Sequence, residues 1–334
     1  MIKMNNQRHR FEVLVFVFVV WTFLLALGST FRKQFVVISF SDKETHEEYK
    51  FTSSMDVVAK YADGRLELSN LYNKEHLIDL RSLSSLSNLT EIYIDFKGNA
   101  KIQQLLLPST ISPLRCEIHA SSCGTIIGDD LSSTYFFLFT QPESVVSKNN
   151  KIASIVIDNP SSLLFLEKGE YENVIIYSGN NMIPSSSCSI TKLNLTGKTW
   201  NIDRLNNNHT IVSLSITGDA IDLTPLQSTN IVELSIFGKT VLSQLIGADK
   251  LSHLSLRAYS DDEVDFSSIN QIKNLQELTI YVDSSIQTQK YIDHISEEEL
   301  KSICEYYQQF SDFYEEMREF IRAGGIINVF SVKG

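Results

Sequence analysis

Proline and glycine are scarce in this 334-residue chain, with six and fourteen residues. That scarcity excludes long flexible linkers and a disordered low-complexity body. Positive charge is also short: 29 Lys and Arg stand against 40 Asp and Glu, for a net charge of −11. No cluster of Lys and Arg occurs, so nucleic acid is not an expected partner, because phosphate contacts need concentrated cations. Catalytic signatures are missing too. The seven histidines, His9, His46, His76, His119, His209, His253 and His294, form no HExxH pattern. There is no glycine-rich phosphate loop and no GxSxG elbow. No catalytic residue, metal or cofactor is expected.

Four cysteines remain, Cys116, Cys123, Cys188 and Cys304. An even count in an exported chain permits disulfides, and Cys116 with Cys123 closes the shortest loop. His119 lies between them, but a structural zinc site needs four protein ligands and the sequence offers no fourth. The expectation is a Cys116–Cys123 disulfide or buried thiols.

What is present begins with 43% hydrophobic residues, enough for a real core. Long apolar runs are limited to one. MIKMNNQRHR is polar and basic, and Val13–Gly28 then runs for 16 uncharged residues. That is slightly short of the ~20 that span a bilayer and slightly long for a signal-peptide core of ~7–15. A signal anchor, a signal peptide cleaved after Gly28, and a buried element all remain open. The basic N-terminal flank favours a cytoplasmic N-terminus and a single-pass membrane protein with its body outside; cleavage would instead release a secreted or periplasmic body.

The body repeats itself. The pattern apolar-x-x-apolar-x-apolar recurs at Ile152/Ile155/Ile157, Tyr171/Val174/Ile176, Ile190/Leu193/Leu195, Ile211/Leu214/Ile216, Ile231/Leu234/Ile236, Leu251/Leu254/Leu256 and Leu275/Leu278/Ile280. The steps between units are 19, 19, 21, 20, 20 and 24 residues. Weaker copies stand upstream at Leu89/Ile92/Ile94, Leu114/Cys116/Ile118 and Leu66/Leu68, and Tyr135–Phe139 fills the gap where another strand is due. Alternation within each unit marks a strand whose fourth and sixth positions point inward. A five-residue strand cannot bury that face alone, so the copies must stack as a solenoid with a parallel ladder. About a dozen residues per turn are left for the return path, which predicts short helical turns or extended chain.

LSITGDAIDLTPL (214–226), LSIFGKTVLSQL (234–245), NLTEIYI (88–94) and NLQELTI (274–280) resemble leucine-rich repeats, and residues 220–236 are similar to the short internalin-like kind. The resemblance covers about residues 60–285 and implies a mostly β solenoid of about ten repeats that binds proteins. The family's asparagine after the strand is replaced by Lys198, Asp219, Lys239, Tyr259 and Asp283. A parallel β-helix acting on polysaccharide is the alternative; it requires several strands per coil and carboxylates stacked on successive coils.

The expected organisation is a basic region at 1–10, the hydrophobic helix at 11–30, an N-terminal strand and cap at 31–61, the solenoid at 62–286 and a helix–strand cap at 287–334. In the first cap, 34–40 reads as a strand and Ser54–Tyr61 as a short helix. At the other end, apolar residues from Leu300 to Ile321 recur at three and four, one face of an α-helix. Ser296 and Glu299 form a capping box at its start, Gly324 and Gly325 end it, and residues 326–332 return as a strand. Asp261–Asp265 reads as a solvated loop or a calcium site, and the sequons at Asn88, Asn194 and Asn208 as chance.

Outward positions on the ladder form two columns. One runs Val156, Ile175, Asn194, Ser215, Ser235, Ser255, Thr279. The next runs Asp158, Tyr177, Thr196, Thr217, Phe237, Arg257, Tyr281. Tyr, Phe and Arg are favoured interface anchors, so Tyr177, Phe237, Arg257 and Tyr281 are the candidate binding residues. The functional expectation is a membrane-anchored binder of a protein partner. An anchored scaffold without one tight ligand is a further alternative, and the sequence leaves the oligomeric state open.

Overall fold

The computed structural model describes residues 35–41, 48–54, 56–72, 74–109, 113–178, 182–257, 264–283 and 291–332. The hydrophobic segment at 11–30 and most of the Asp261–Asp265 run lie outside them. The strands are β1 (Phe35–Ser41), β2 (Glu48–Ser54), β3 (Val57–Ala62), β4 (Arg65–Asn70), β5 (Glu75–Asp79), β6 (Glu91–Asp95), β7 (Lys101–Leu106), β8 (Leu114–His119), β9 (Ser122–Gly128), β10 (Leu131–Leu138) and β11 (Pro142–Ser147). They continue as β12 (Lys151–Asp158), β13 (Glu170–Tyr177), β14 (Ser189–Thr196), β15 (Thr199–Trp200), β16 (Ser213–Ile221), β17 (Glu233–Val241), β18 (His253–Arg257), β19 (Val264–Asp265), β20 (Glu277–Asp283), β21 (Tyr291–Ile292) and β22 (Ile326–Val332). Helices α1 (Glu297–Tyr306) and α2 (Tyr314–Arg322) precede β22.

These elements build a mostly β parallel solenoid of about nine turns. The ladder runs β4-β6-β8-β10-β12-β13-β14-β16-β17-β18-β20-β22, all parallel. Register aligns one inward column from Leu66 through Ile92, Cys116, Phe136, Ile155, Val174, Leu193, Leu214, Leu234, Leu254 and Leu278 to Ile327. Two residues on, a second column runs from Leu68 to Val329, and both columns are buried throughout. Burying each such side chain contributes about 1.5–3 kcal/mol.

The return path changes character midway. In the first turns it is a second parallel sheet, β5-β7-β9-β11, where residues such as Ile102, Leu105, Cys123, Ile126 and Val145 face the core. A 3-10 turn at Arg81–Ser85 already follows β5, and after β11 such turns replace the second sheet, at Leu164–Lys168, Asp203–Leu205, Thr224–Ser228, Leu242–Leu245 and Ile269–Gln271. Their buried residues stand three apart: Leu163/Leu166, Ile202/Leu205, Leu223/Leu226, Leu242/Leu245 and Phe266/Ile269. A 3-10 helix has three residues per turn, so that spacing sets both side chains on one side.

Two sequence expectations are corrected. Among the described residues of 54–61 there is no helix: Ser54 ends β2, and β3 begins at Val57 and pairs antiparallel with β4. The link is Asp63-Gly64 with φ of 51° and 78°, the two-residue turn that Asp-Gly favours in a hairpin. The C-terminal helix is not continuous either. Its capping box forms, with Glu299 N–H donating to Ser296 Oγ and Ser296 N–H to Glu299 Oε2. It then breaks at Tyr307, whose backbone is extended. The break drops Phe310 and Phe313 onto Phe266, ring centroids 5.8 and 5.7 Å apart. Arg322 turns back to α1 and donates to Glu297 at 3.0 and 2.7 Å.

Neighbouring turns are tied where the chain enters each strand. Asn208, Asn230 and Asn274 each donate a side-chain N–H to a carbonyl of the preceding turn. Asn208 is 1% exposed. Its Nδ2 serves Ser186 O and Cys188 O at 3.3 Å, and its Oδ1 accepts from Thr210 N and Ile211 N at 3.0 Å. These ties precede the strand but form no continuous ladder: Asn230 and Asn274 stand four residues before Leu234 and Leu278, Asn208 six before Leu214, and Lys250 occupies the turn between. On the exit side backbones crowd together: a Cβ on Gly238 would lie 1.7 Å from Gly218 O.

Two predictions follow from buried polar groups. Asn208→Ala strands donors and acceptors on two turns, and unfolding in urea is expected to show a loss of about 2–4 kcal/mol, against about 1 or less for the exposed Asn230→Ala. Near the N-terminal end, His76 is fully buried with Nδ1 3.4 Å from Asp56 Oδ1, outside hydrogen-bonding geometry. Burial pushes its pKa below the ordinary 6.5, against the opposing pull of Asp56. The unfolded chain protonates first as pH falls below about 6.5, so this contribution to stability is lost on acidification. The melting temperature should drop more between pH 7.5 and 5.5 in the wild type than in His76→Phe; equal drops would remove His76 from the account.

Candidate functional site

The face of the ladder opposite the core is built by the odd members of each strand. Three columns cross it at the ~4.8 Å spacing of hydrogen-bonded strands. The middle one runs Glu67, Tyr93, Glu117, Phe137, Val156, Ile175, Asn194, Ser215, Ser235, Ser255, Thr279, Asn328. Its C-terminal half is small and hydroxylated, as the sequence indicates, and side-chain bonds order its centre. Asn194 Nδ2 donates to Asn173 Oδ1 at 3.0 Å, and Asn173 Nδ2 to Ser154 Oγ at 3.1 Å.

The candidate residues fall into two groups. Phe237 and Tyr281, two ladder strands apart, lean together over the strand that carries Arg257, with ring centroids at 5.7 Å. Arg257 pairs in register with Tyr281. Phe330 completes this group by stacking on Tyr281 at 5.2 Å and 19°. Tyr177 stands apart, three ladder strands from Phe237, about 14 Å along the stack.

Tyr177 belongs instead to an N-terminal group that sequence reasoning missed. Tyr135, Phe139 and Tyr177 are 46%, 51% and 44% exposed, and Val156 and Ile175 lie half-buried among them. Arg65 sits 4.4 Å over the Tyr93 ring and Arg115 4.4 Å over Phe137. Glu91 lies between the two guanidinium groups at 3.5 and 3.7 Å. Glu117 takes 2.8 Å contacts from both Arg115 and His119. Burial alone would raise the Glu117 carboxyl, but these hydrogen bonds outweigh it and hold it below the ordinary range.

His119 shows why the Cys–His–Cys spacing makes no common centre. Residues 116 and 119 have opposite parity on β8, so Cys116 is buried and His119 faces out against Phe139. The expected Cys116–Cys123 bond is also not made. All four cysteines are free and buried, and Cys116 and Cys123 sit in strands of two different sheets. Burial pushes the Cys123 thiol up to about 12, Cys304 to about 11, and Cys116 and Cys188 upward as well. The acidic run contributes one described ligand-type group, Asp265, and its Oδ1 accepts from Ser267 N–H.

The outer face can therefore stack, ion-pair and hydrogen-bond along one rigid line. Among the described residues no helix is long and apolar enough to cross a membrane. Thiol chemistry tests the cysteine assignment: denatured, unreduced protein should titrate four thiols, and native protein should react slowly, because a buried thiol yields little thiolate. Two titratable thiols in the denatured chain would restore the disulfide. Comparison with protein-family models, with characterised proteins and with solved structures finds no match.

Proposed function

We propose that this chain is a membrane-anchored, extracytoplasmic solenoid, a divergent leucine-rich repeat protein, that binds other proteins through the outer face of its ladder. The observation that carries the reading is the pair of ordered aromatic–arginine stations. Aromatic and Arg side chains concentrate binding energy when they are prepositioned. Both stations are: Arg65 and Arg115 lie over Tyr93 and Phe137 and are bridged by Glu91, and Phe237, Tyr281 and Phe330 support one another.

The distribution of carboxylates favours this over a polysaccharide-cleaving β-helix. Among the described residues none of the three columns carries carboxylates on two successive turns, whereas glycosidic cleavage uses a facing acid pair. Free buried thiols are compatible with an oxidising compartment, because burial keeps thiolate and oxidant apart.

The test is crosslinking in intact cells followed by recovery of the chain. Combined Phe237→Ala, Tyr281→Ala and Phe330→Ala should lower recovery of a specific partner about tenfold or more with the solenoid still folded. Unchanged recovery would remove the C-terminal station from the binding surface. Protease added outside the cell should cut the body; full protection of an intact membrane-bound chain would overturn the topology.

A further inference from the structure

The N-terminal station contains a gap of defined size. Ile118, Leu138, Ile157 and Ile176 are register neighbours on β8, β10, β12 and β13. The next residues, His119, Phe139, Asp158 and Tyr177, therefore stand at one level on four successive strands. His119 covers one face of Phe139, with centroids 4.1 Å apart and planes within 12°. It is held in place by Glu117 Oε1 at 2.8 Å and by the Tyr93 ring at 5.5 Å.

Stacking between neighbouring strands points the ring normal along the ladder. The uncovered face of Phe139 is thus turned toward the next strand, where Asp158 stands. Tyr177 follows one strand further on. Two exposed rings are separated by two strand spacings, about 9.6 Å at the backbone, with a carboxylate between them. A flat group held in van der Waals contact with both rings needs about 7–8 Å, which a small lean of either side chain supplies.

Asp158 is not spoken for by a cation. Among the described residues it accepts one hydrogen bond, from Asn159 Nδ2 at 3.0 Å, and makes no ion pair. A hollow of about 370 Å³ opens beside Asp158 on the strand-exit side, walled by Phe139, Gln141 and Pro160; Tyr177 does not line it.

Two exposed aromatic rings on either side of a carboxylate that lacks a counter-ion recognise a cation, because ring quadrupoles and carboxylate attract the same charge. The planar, weakly hydrated guanidinium suits a slot better than the compact, strongly hydrated ammonium. The whole chain, at −11, favours the approach of basic ligands. We propose that this slot takes an arginine side chain of a protein partner, its guanidinium between Phe139 and Tyr177 and over Asp158. The proposal rests on the protein-binding reading of the ladder face and names the partner chemistry at one station of it.

Octa-arginine is the probe, titrated calorimetrically into the folded protein, with an octamer of the neutral isostere citrulline and with cellohexaose as comparators. Octa-arginine should bind and the citrulline peptide should not. Asp158→Asn should weaken binding about tenfold, and Phe139→Leu and Tyr177→Leu about threefold each. Glu319→Gln, which removes the same charge from the exposed surface of α2, should stay within about twofold, and the melting temperature of each variant checks its folding. Equal losses in Asp158→Asn and Glu319→Gln would reduce the effect to bulk charge and overturn the slot. So would equal binding of the citrulline peptide, or Phe139-dependent binding of cellohexaose without binding of octa-arginine. None of these outcomes touches the partner-recovery test of the C-terminal station, so the two proposals fail separately.

Discussion

Each turn of this molecule can bury its inward pair only against the turns on either side, and that constraint governs the rest. A strand of five residues with two core side chains has no stability alone. Stacked in register, the pairs become two unbroken apolar columns from Leu66 to Ile327 and from Leu68 to Val329. A slip by one residue would send every inward side chain outward. Register is therefore fixed by the core, and the outer columns inherit it whatever contacts their own side chains make.

The return path carries no such constraint, so it changes without disturbing the ladder. Where apolar residues alternate, as around Ile102 and Leu105, the chain forms a second sheet. Where they stand three apart, as at Leu223/Leu226, it forms a 3-10 turn. The ties between turns are equally local. Asparagines at strand entry, and backbone bonds at strand exit such as Gly197 N–H to Thr217 O, pair polar groups beyond the core positions of the ladder.

This explains what could be read from the sequence. The repeated inward pair was legible because one physical demand writes it on every turn, and the outer columns followed from parity. The Asp63-Gly64 hairpin and the spacing of three were present in the sequence but lie off the ladder, where no periodicity draws attention to them. The break at Tyr307 was hidden because nothing in Ser296–Ala323 opposes a helix; it is the packing of Phe310 and Phe313 on Phe266 that decides. On the outer face, Phe237, Arg257 and Tyr281 were legible as a column, but Phe330 was not. It joins that column only because β22 returns to pair with β20 after two helices. The Tyr93–His119–Phe139 stack was obscured by reading His119 beside two cysteines, although strand parity alone puts it on the opposite face.

A ladder also restricts how such a surface can vary. Within one strand the outer residues are free to change, since they face solvent and leave the core columns intact. The distance between two stations cannot change continuously. Tyr177 and Phe237 are three ladder strands apart, and inserting or deleting a turn would move them by one strand spacing, about 4.8 Å, while preserving every inward pair. A partner that engages both stations must therefore match a quantised separation. The outward residues of the two strands between them, Asn194, Thr196, Ser215 and Thr217, supply a low, polar surface that keeps the two stations distinct. Composition at each station and the number of turns between them can thus vary independently, the first without touching the core and the second by adding or removing a whole inward pair.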